Sequence, residues 1–214
     1  MKMSNTSITK LHDVIGKITD KLVEIVHYIN EYEEIFNDNK KTKNIIAATN
    51  CRFFDDLYSL YWNFLTIRIC ALLDTSKTFG NKNLSIKLLI ELVEKENLPC
   101  RKKVNELLNK IDLLIASFKN SRNKAFTHFD LDIMLSKKRL EMLKLDDLIL
   151  TIGYVSEIVN IVNSDLGKDV SLFGMKSHDG ARRLIGILEM GMKHKEQIIN
   201  QAKKNIIIAI PFKS

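Results

Sequence analysis

The residues of this chain best suited to chemistry are Arg122, Asn123 and His128, within the run Ser121-Arg122-Asn123-Lys124-Ala125-Phe126-Thr127-His128-Phe129-Asp130. They end a segment whose apolar positions are Val104, Leu107, Leu108, Ile111, Leu114, Ile115 and Phe118. Steps of three and four mark one face of a helix. Continued, the count reaches Arg122, Ala125 and Phe129, so a guanidinium takes a place the pattern reserves for an apolar side chain. Arginine is almost never fully buried without a partner, and stripping its water is costly unless an opposite charge offsets it. A carboxylate, a partner subunit or a phosphate must therefore meet Arg122. On an unbroken helix, at ~100° per residue, Arg122 and His128 sit about 120° apart. Either the helix ends before His128 and the chain folds back, or a two-fold dimer brings copies of the two groups together.

Other chemistries find little support. None of His12, His27, His128, His178 and His194 pairs at the i, i+4 spacing of a helical metal site, and no HExxH occurs, so no metal centre is expected. There is no GxxxxGK[ST] loop and no GxGxxG fingerprint, so no nucleotide cofactor is expected. No GxSxG elbow supports serine hydrolysis. Cys51, Cys70 and Cys100 are widely spaced and form no CxxC, which suggests neither a disulfide framework nor a zinc site. Cys70 lies in an apolar helical segment and reads as a small core residue.

The elements that must position these residues are helices. Eight Gly and two Pro in 214 residues leave few breaks. Hydrophobic content of 45% and charged content of 28% suit a globular chain. One domain is expected over residues 1–214, with a core at about 8–166 and a C-terminal helix and tail at 175–214. No apolar run approaches the ~20 residues needed to span a bilayer, and residues 1–7 lack the apolar core of a signal peptide. A cytoplasmic protein with no membrane partner is the expectation.

A first helix is predicted over residues 8–36, carrying Leu11, Ile18, Leu22 and Ile29 on one side. Residues 37–42 are polar and read as a connection. A second, central and mostly enclosed helix is predicted over 43–73, with the stripe Phe54, Tyr58, Tyr61, Leu65, Leu72 and a polar side of Arg52, Asp56, Ser59, Asn63 and Thr66. Arg68 falls inside that stripe. An internal ion pair, with Asp74 as candidate partner, is favoured over a direct catalytic role. Residues 74–83 read as a loop, and residues 84–95 as a short helix with Ile86, Leu89, Ile90 and Val93 inward. Pro99 suits the first turn of the helix that carries Arg122.

Asp146 or Asp147 should cap a further helix with Leu148, Ile149, Ile152, Val155 and Val162 inward. Gly167 and Gly174 bracket a loop. A last helix starts at 177–179 with Leu184, Ile187 or Leu188, and Met190 or Met192 inward. The apolar stretch Ile206-Ile207-Ile208-Ala209-Ile210 reads as a strand that docks on the body or on a partner.

The formal charge of +7 is unevenly placed. Between residues 99 and 128, Arg101, Lys102, Lys103, Lys110, Lys119, Arg122 and Lys124 face only Glu106 and Asp112, a net +5. Such a helix is the footprint of a phosphate-rich partner, and equally of a solvated lysine face.

Arg122-Asn123, four intervening residues and His128 resemble the arginine, polar residue, variable spacer and histidine motif of the HEPN superfamily of all-α RNA-binding and RNA-cleaving domains. The order from Phe53 to Asp130 is similar to the branch linked to bacterial abortive infection. There, a helix with arginine and a terminal leucine-aspartate (here Arg68 and Leu73-Asp74) precedes a short leucine-rich helix. The arginine-to-histidine element follows, with an aspartate soon after (here Asp130). The likeness runs to about Gly191.

The resemblance implies an all-α, up-and-down bundle of HEPN type with extra C-terminal helices. It also implies a metal-independent endoribonuclease effector of bacterial defence or toxin–antitoxin type. In that reading His128 is general base or acid, Arg122 holds the scissile phosphate, and Asn123 orients either group. Lys119 and Lys124 contact RNA, while Asp130, Arg68 and Asp74 support the motif. A homodimer with a shared cleft is implied, RNA is the expected partner, and an antitoxin protein is a further candidate. Members without cleavage serve as RNA- or protein-binding modules, which is the alternative. His128 would then be a helix-end histidine at a backbone carbonyl or the helix dipole.

Overall fold

The computed structural model describes residues 5–36, 39–126, 135, 143–170 and 180–208. Helices dominate: α1 (Asn5–Phe36), α2 (Lys40–Thr49), α3 (Cys51–Leu72), α4 (Ile86–Lys95), α5 (Arg101–Ser121) with a π-helical turn (Arg122–Phe126), α6 (Leu145–Asp165) and α7 (Gly180–Ile208). Between α3 and α4 lies a hairpin of two-residue strands, β1 (Lys77–Thr78) and β2 (Asn81–Lys82), in antiparallel register. Its turn needs positive φ at Phe79 and Gly80, and Phe79 pays that conformational cost on the surface, fully exposed. The fold is all-α and of HEPN type, as the sequence predicts.

The chain divides into two compact units, Met1–Ile29 with Leu60–Lys176, and Asn30–Ser59 with Ser177–Ser214. The first holds the main core. Leu11, Ile15, Ile18, Leu22 and Ile25 of α1 meet Leu65 and Ile69 of α3, the four predicted inward residues of α4, and the stripes of α5 and α6. Each fully buried aliphatic side chain contributes roughly 1.5–3 kcal/mol by leaving water. Val104, Leu107, Ile111, Ile115 and Phe118 are buried as the period requires, and so is Cys70. The second unit is smaller. Tyr32, Ile35, Ile45, Phe54 and Ala181 are buried there, and the rings of Tyr32, Phe36 and Tyr58 pack at 5.1–5.6 Å between centroids.

Several boundaries differ from the sequence reading. Lys40 to Thr42, predicted as connection, open α2, because the Asn39 side chain accepts the Lys41 N–H at 2.9 Å and caps it. The predicted helix over 43–73 is two helices. Asn50 breaks it with extended backbone (φ −156, ψ 92), and its side-chain oxygen accepts the Phe53 N–H at 3.1 Å to start α3.

Nor is α3 mostly enclosed: Phe53, Tyr58 and Leu60 are exposed, Arg68 is exposed, and Thr66 from the predicted polar side is buried. Pro99 precedes the cap residue Cys100 rather than entering the first turn of α5. Asp146 and Asp147 lie inside the first turn of α6, where they favour the positive helix end without capping it, and Ile149 is exposed. Leu184, Ile187 and Met190 of α7 are exposed rather than inward. Residues 206–208 continue α7 as helix, not strand. Gly167 takes the left-handed conformation (φ 70) just past α6, as a helix-ending glycine does, whereas Gly174 lies outside the described residues.

Candidate functional site

Helix α5 is fixed at both ends. At its start, the Cys100 N–H donates to the Asp165 carboxylate at 2.7 Å. At its end, Ser121 is buried and the backbone widens into the π turn at Arg122. Single π turns are uncommon and occur often at functional sites. Here the widening begins at the residue the apolar stripe cannot hold.

Arg122 finds its counter-charge in Asp74, whose Oδ2 accepts from Nη1 at 2.8 Å. The Arg122 side chain is only 19% exposed and that of Asp74 38%. The guanidinium is thus largely withdrawn from water against a half-open carboxylate. Its Nε also donates to the Asn123 side-chain oxygen at 3.0 Å. Asp74 is placed by the end of α3, where its N–H donates to the Ala71 carbonyl at 3.4 Å. Beyond it the hairpin is tied down: Asn83 donates to the Thr75 carbonyl at 2.9 Å and to Thr78 at 2.7 Å, and Ser76 donates to Glu91 of α4.

Cys70, one turn before Asp74, reports the same neighbourhood. Burial pushes its thiol up to about 11; the Arg122 and Lys119 cations pull the other way, and the Asp74 carboxylate adds to the rise. Lys119 lies 3.6 Å from Asp112, which is also 3.8 Å from Lys87 of α4. Sequence reasoning passed over Asp112, although seven residues is two turns and sets Asp112 and Lys119 on one face.

The structure therefore brings Arg122, Asn123, Asp74 and Lys119 into one region, with the partly buried Lys124 in the π turn. Arg68 does not join them. It pairs with Glu24 of α1 at 3.5 Å and stacks over the Phe64 ring, 4.9 Å from its centroid. The predicted Arg68–Asp74 pair is thus replaced by Arg122–Asp74. Its physical reason is exposure: Arg68 is solvated, whereas Arg122 on an apolar face needs the carboxylate more. Glu24 is held below the usual carboxylate range chiefly by its hydrogen bond from Lys21 at 2.7 Å, with Arg68 adding a smaller pull. His128 and Asp130 lie outside the described residues.

This arrangement can present a fixed, partly desolvated guanidinium and nearby ammonium groups to an anion. Arginine's planar fork suits phosphate oxygens. No curated protein and no solved structure matches the chain at a significant level. The family model HEPN AbiU2 matches residues 9–184. That span takes in the main core, the Arg122–Asp74 pair and the start of α7, so the chain belongs to the HEPN AbiU2 family, a HEPN-type family associated with abortive infection.

Proposed function

We propose that this chain is a metal-independent endoribonuclease effector of bacterial defence, with Arg122 and His128 as its catalytic residues. The observation that carries the reading is Arg122: a guanidinium at the end of a basic helix, held at 2.8 Å by Asp74 and at 3.0 Å by Asn123 where the helix widens. A cation fixed in advance spends no reorganisation when charge develops on a phosphate.

In the proposed step, the ribose 2′-hydroxyl attacks the adjacent phosphorus and forms a 2′-O–P bond. The P–O5′ bond breaks. The proton leaving the 2′-oxygen goes to a base, the 5′-oxygen takes one from an acid, and the products are a 2′,3′-cyclic phosphate and a 5′-hydroxyl. His128 serves as base or acid because its ordinary pKa, about 6.5, lies near working pH. Lys119 and Lys124 contribute to RNA binding, and Asp130 to the tautomer of His128. Two copies of the motif line a shared cleft in a homodimer, and an antitoxin protein is a candidate partner.

The test is cleavage of a single-stranded RNA panel in EDTA. Arg122→Ala and His128→Ala should each abolish cleavage with helicity unchanged, and DNA should survive because it lacks the 2′-hydroxyl. Cleavage that persists in His128→Ala, or that requires a divalent metal, overturns the reading. One observation favours a second reading: Arg122 is already engaged by Asp74, as a structural ion pair would be. Tight RNA binding with no cleavage by the wild type would make the chain a binding module.

A further inference from the structure

Helix α7 runs for 29 residues, and the family match stops at residue 184, near its start. Within its own unit its contacts lie at one end and along one side. The Ala181 N–H donates to the Glu31 carboxylate at 2.5 Å, Arg182 pairs with Glu34, and Glu189 lies 2.8 Å from Lys41 of α2. Glu189, Met192, Lys193 and Glu196 line a cleft of about 590 Å³ with α2.

At ~100° per residue, those four fall in one sector of the helix. Leu184, Ile187, Ile198 and Ile199 fall in another, an arc of ~120° centred some ~140° away. All four are exposed, at 39–53%. Every residue from 193 to 203 is exposed as well. The helix therefore carries an apolar stripe that no described element covers.

The charge on this helix is one-sided. Arg182, Arg183, Lys193, Lys195, Lys203 and Lys204 stand against Glu189 and Glu196. Glu189 is taken by Lys41 and Lys193, at 2.8 and 2.9 Å. Among the described residues, no carboxylate pairs with Arg183, Lys195 or Lys203.

We propose that this face of α7 docks on an anionic lipid surface, with the helix lying in the plane of the headgroups. An aliphatic stripe edged by cations on a helix of low mean hydropathy is the composition that binds there. Lys195 falls within the apolar arc, where its stem packs among the aliphatic side chains and its ammonium reaches the headgroups. A second copy fits less well, since two strongly basic helices repel. RNA fits less well too, because residues 180–208 hold no Phe, Tyr or Trp on which a base could stack. This replaces the expectation of no membrane partner. That expectation rested on spanning length, and no described helix is long and apolar enough to cross a membrane; lying on the surface demands no such length.

The experiment is flotation of the full chain with vesicles of phosphatidylcholine alone or mixed equally with phosphatidylglycerol. The chain should float only with the anionic vesicles, and less well as salt shortens the screening length. Lys195→Gln and Lys203→Gln should each weaken partition roughly five-fold. Ile187→Asp with Ile198→Asp should abolish flotation with helicity unchanged, since both sites are solvent-facing. The proposal fails if the wild type stays unbound with anionic vesicles. It fails equally if the double Asp variant still floats. Should that variant instead lose self-association, or retention on immobilised RNA, while flotation is unchanged, the stripe serves a second copy or RNA and not lipid.

Discussion

Asp74 and Arg122, 48 residues apart, share one hydrogen bond of 2.8 Å between the end of α3 and the start of the π turn. The apolar stripe of α5 demands a counter-charge for Arg122, and this carboxylate supplies it. The bond ties the loop after α3 to the last turn of the basic helix.

The first prediction concerns that pair. Because Arg122 is mostly withdrawn from water and Asp74 is not, their coupling should lie between surface and buried values, about 1–2 kcal/mol. Urea unfolding of Arg122→Ala, Asp74→Ala and the double variant would measure it. Arg122→Leu, which continues the apolar stripe, should recover part of the stability lost in Asp74→Ala. Additive single losses would show that the contact contributes nothing.

Arg68 should behave differently. Its side chain is 45% exposed and its partner Glu24 28%, so Arg68→Ala should cost under ~1 kcal/mol. Glu24 is depressed below its ordinary 4.5, so its contribution is present above that value and fades as pH falls through the lower folded value. Glu24→Gln should flatten that acid limb in melts taken across this range. A loss of several kcal/mol in Arg68→Ala would restore the buried ion pair that the sequence suggested.

The thiols give a third prediction. Cys51 is exposed, while Cys70 and Cys100 are buried. Burial, with Asp165 hydrogen-bonded alongside, pushes the Cys100 thiol up to about 12, and burial raises Cys70 to about 11. Near pH 8, a thiol reagent should label Cys51 in the native chain and all three cysteines in denaturant, as read by intact mass. Both raised groups favour the protonated fold. Stability they supply is complete below the ordinary 9.0 and is lost as pH rises from there through about 11–12.

How much of this was legible follows from where each pattern ends. The period of α5 placed Val104 to Phe118 inward and exposed the anomaly at Arg122, because a long regular stripe averages over local exceptions. The need for a carboxylate was legible; its identity was not, since Asp74 arrives from another helix and spacing carries no such information. Asn50 was missed although Asn is a strong cap, because apolar residues continue on both sides and period alone does not register one extended residue. The apolar positions of α7 were read as inward for a similar reason: periodicity defines a face and is silent on whether anything covers it. The motif itself is half visible in the structure, as His128 and Asp130 lie outside the described residues.

A fourth prediction concerns assembly. The shared-cleft model needs two copies, so light scattering at tens of micromolar should give a dimer near twice 24.7 kDa. A monomer throughout would remove that model and leave each Arg122 to act with the histidine of its own chain.

The wide turn at Arg122–Phe126 makes distance along the motif a matter of winding as well as of count. Each hydrogen-bonded ring there holds one residue more than an α-helical ring. Deleting a single residue from it would let the backbone return to α pitch and swing whatever follows by ~100° relative to Arg122. Spacer length and helical state thus form one variable: a short spacer wound tightly and a longer one wound loosely deliver the next group on the same bearing. A variable spacer is therefore compatible with one fixed geometry, and a length change alone is a poor guide to whether a motif has been lost.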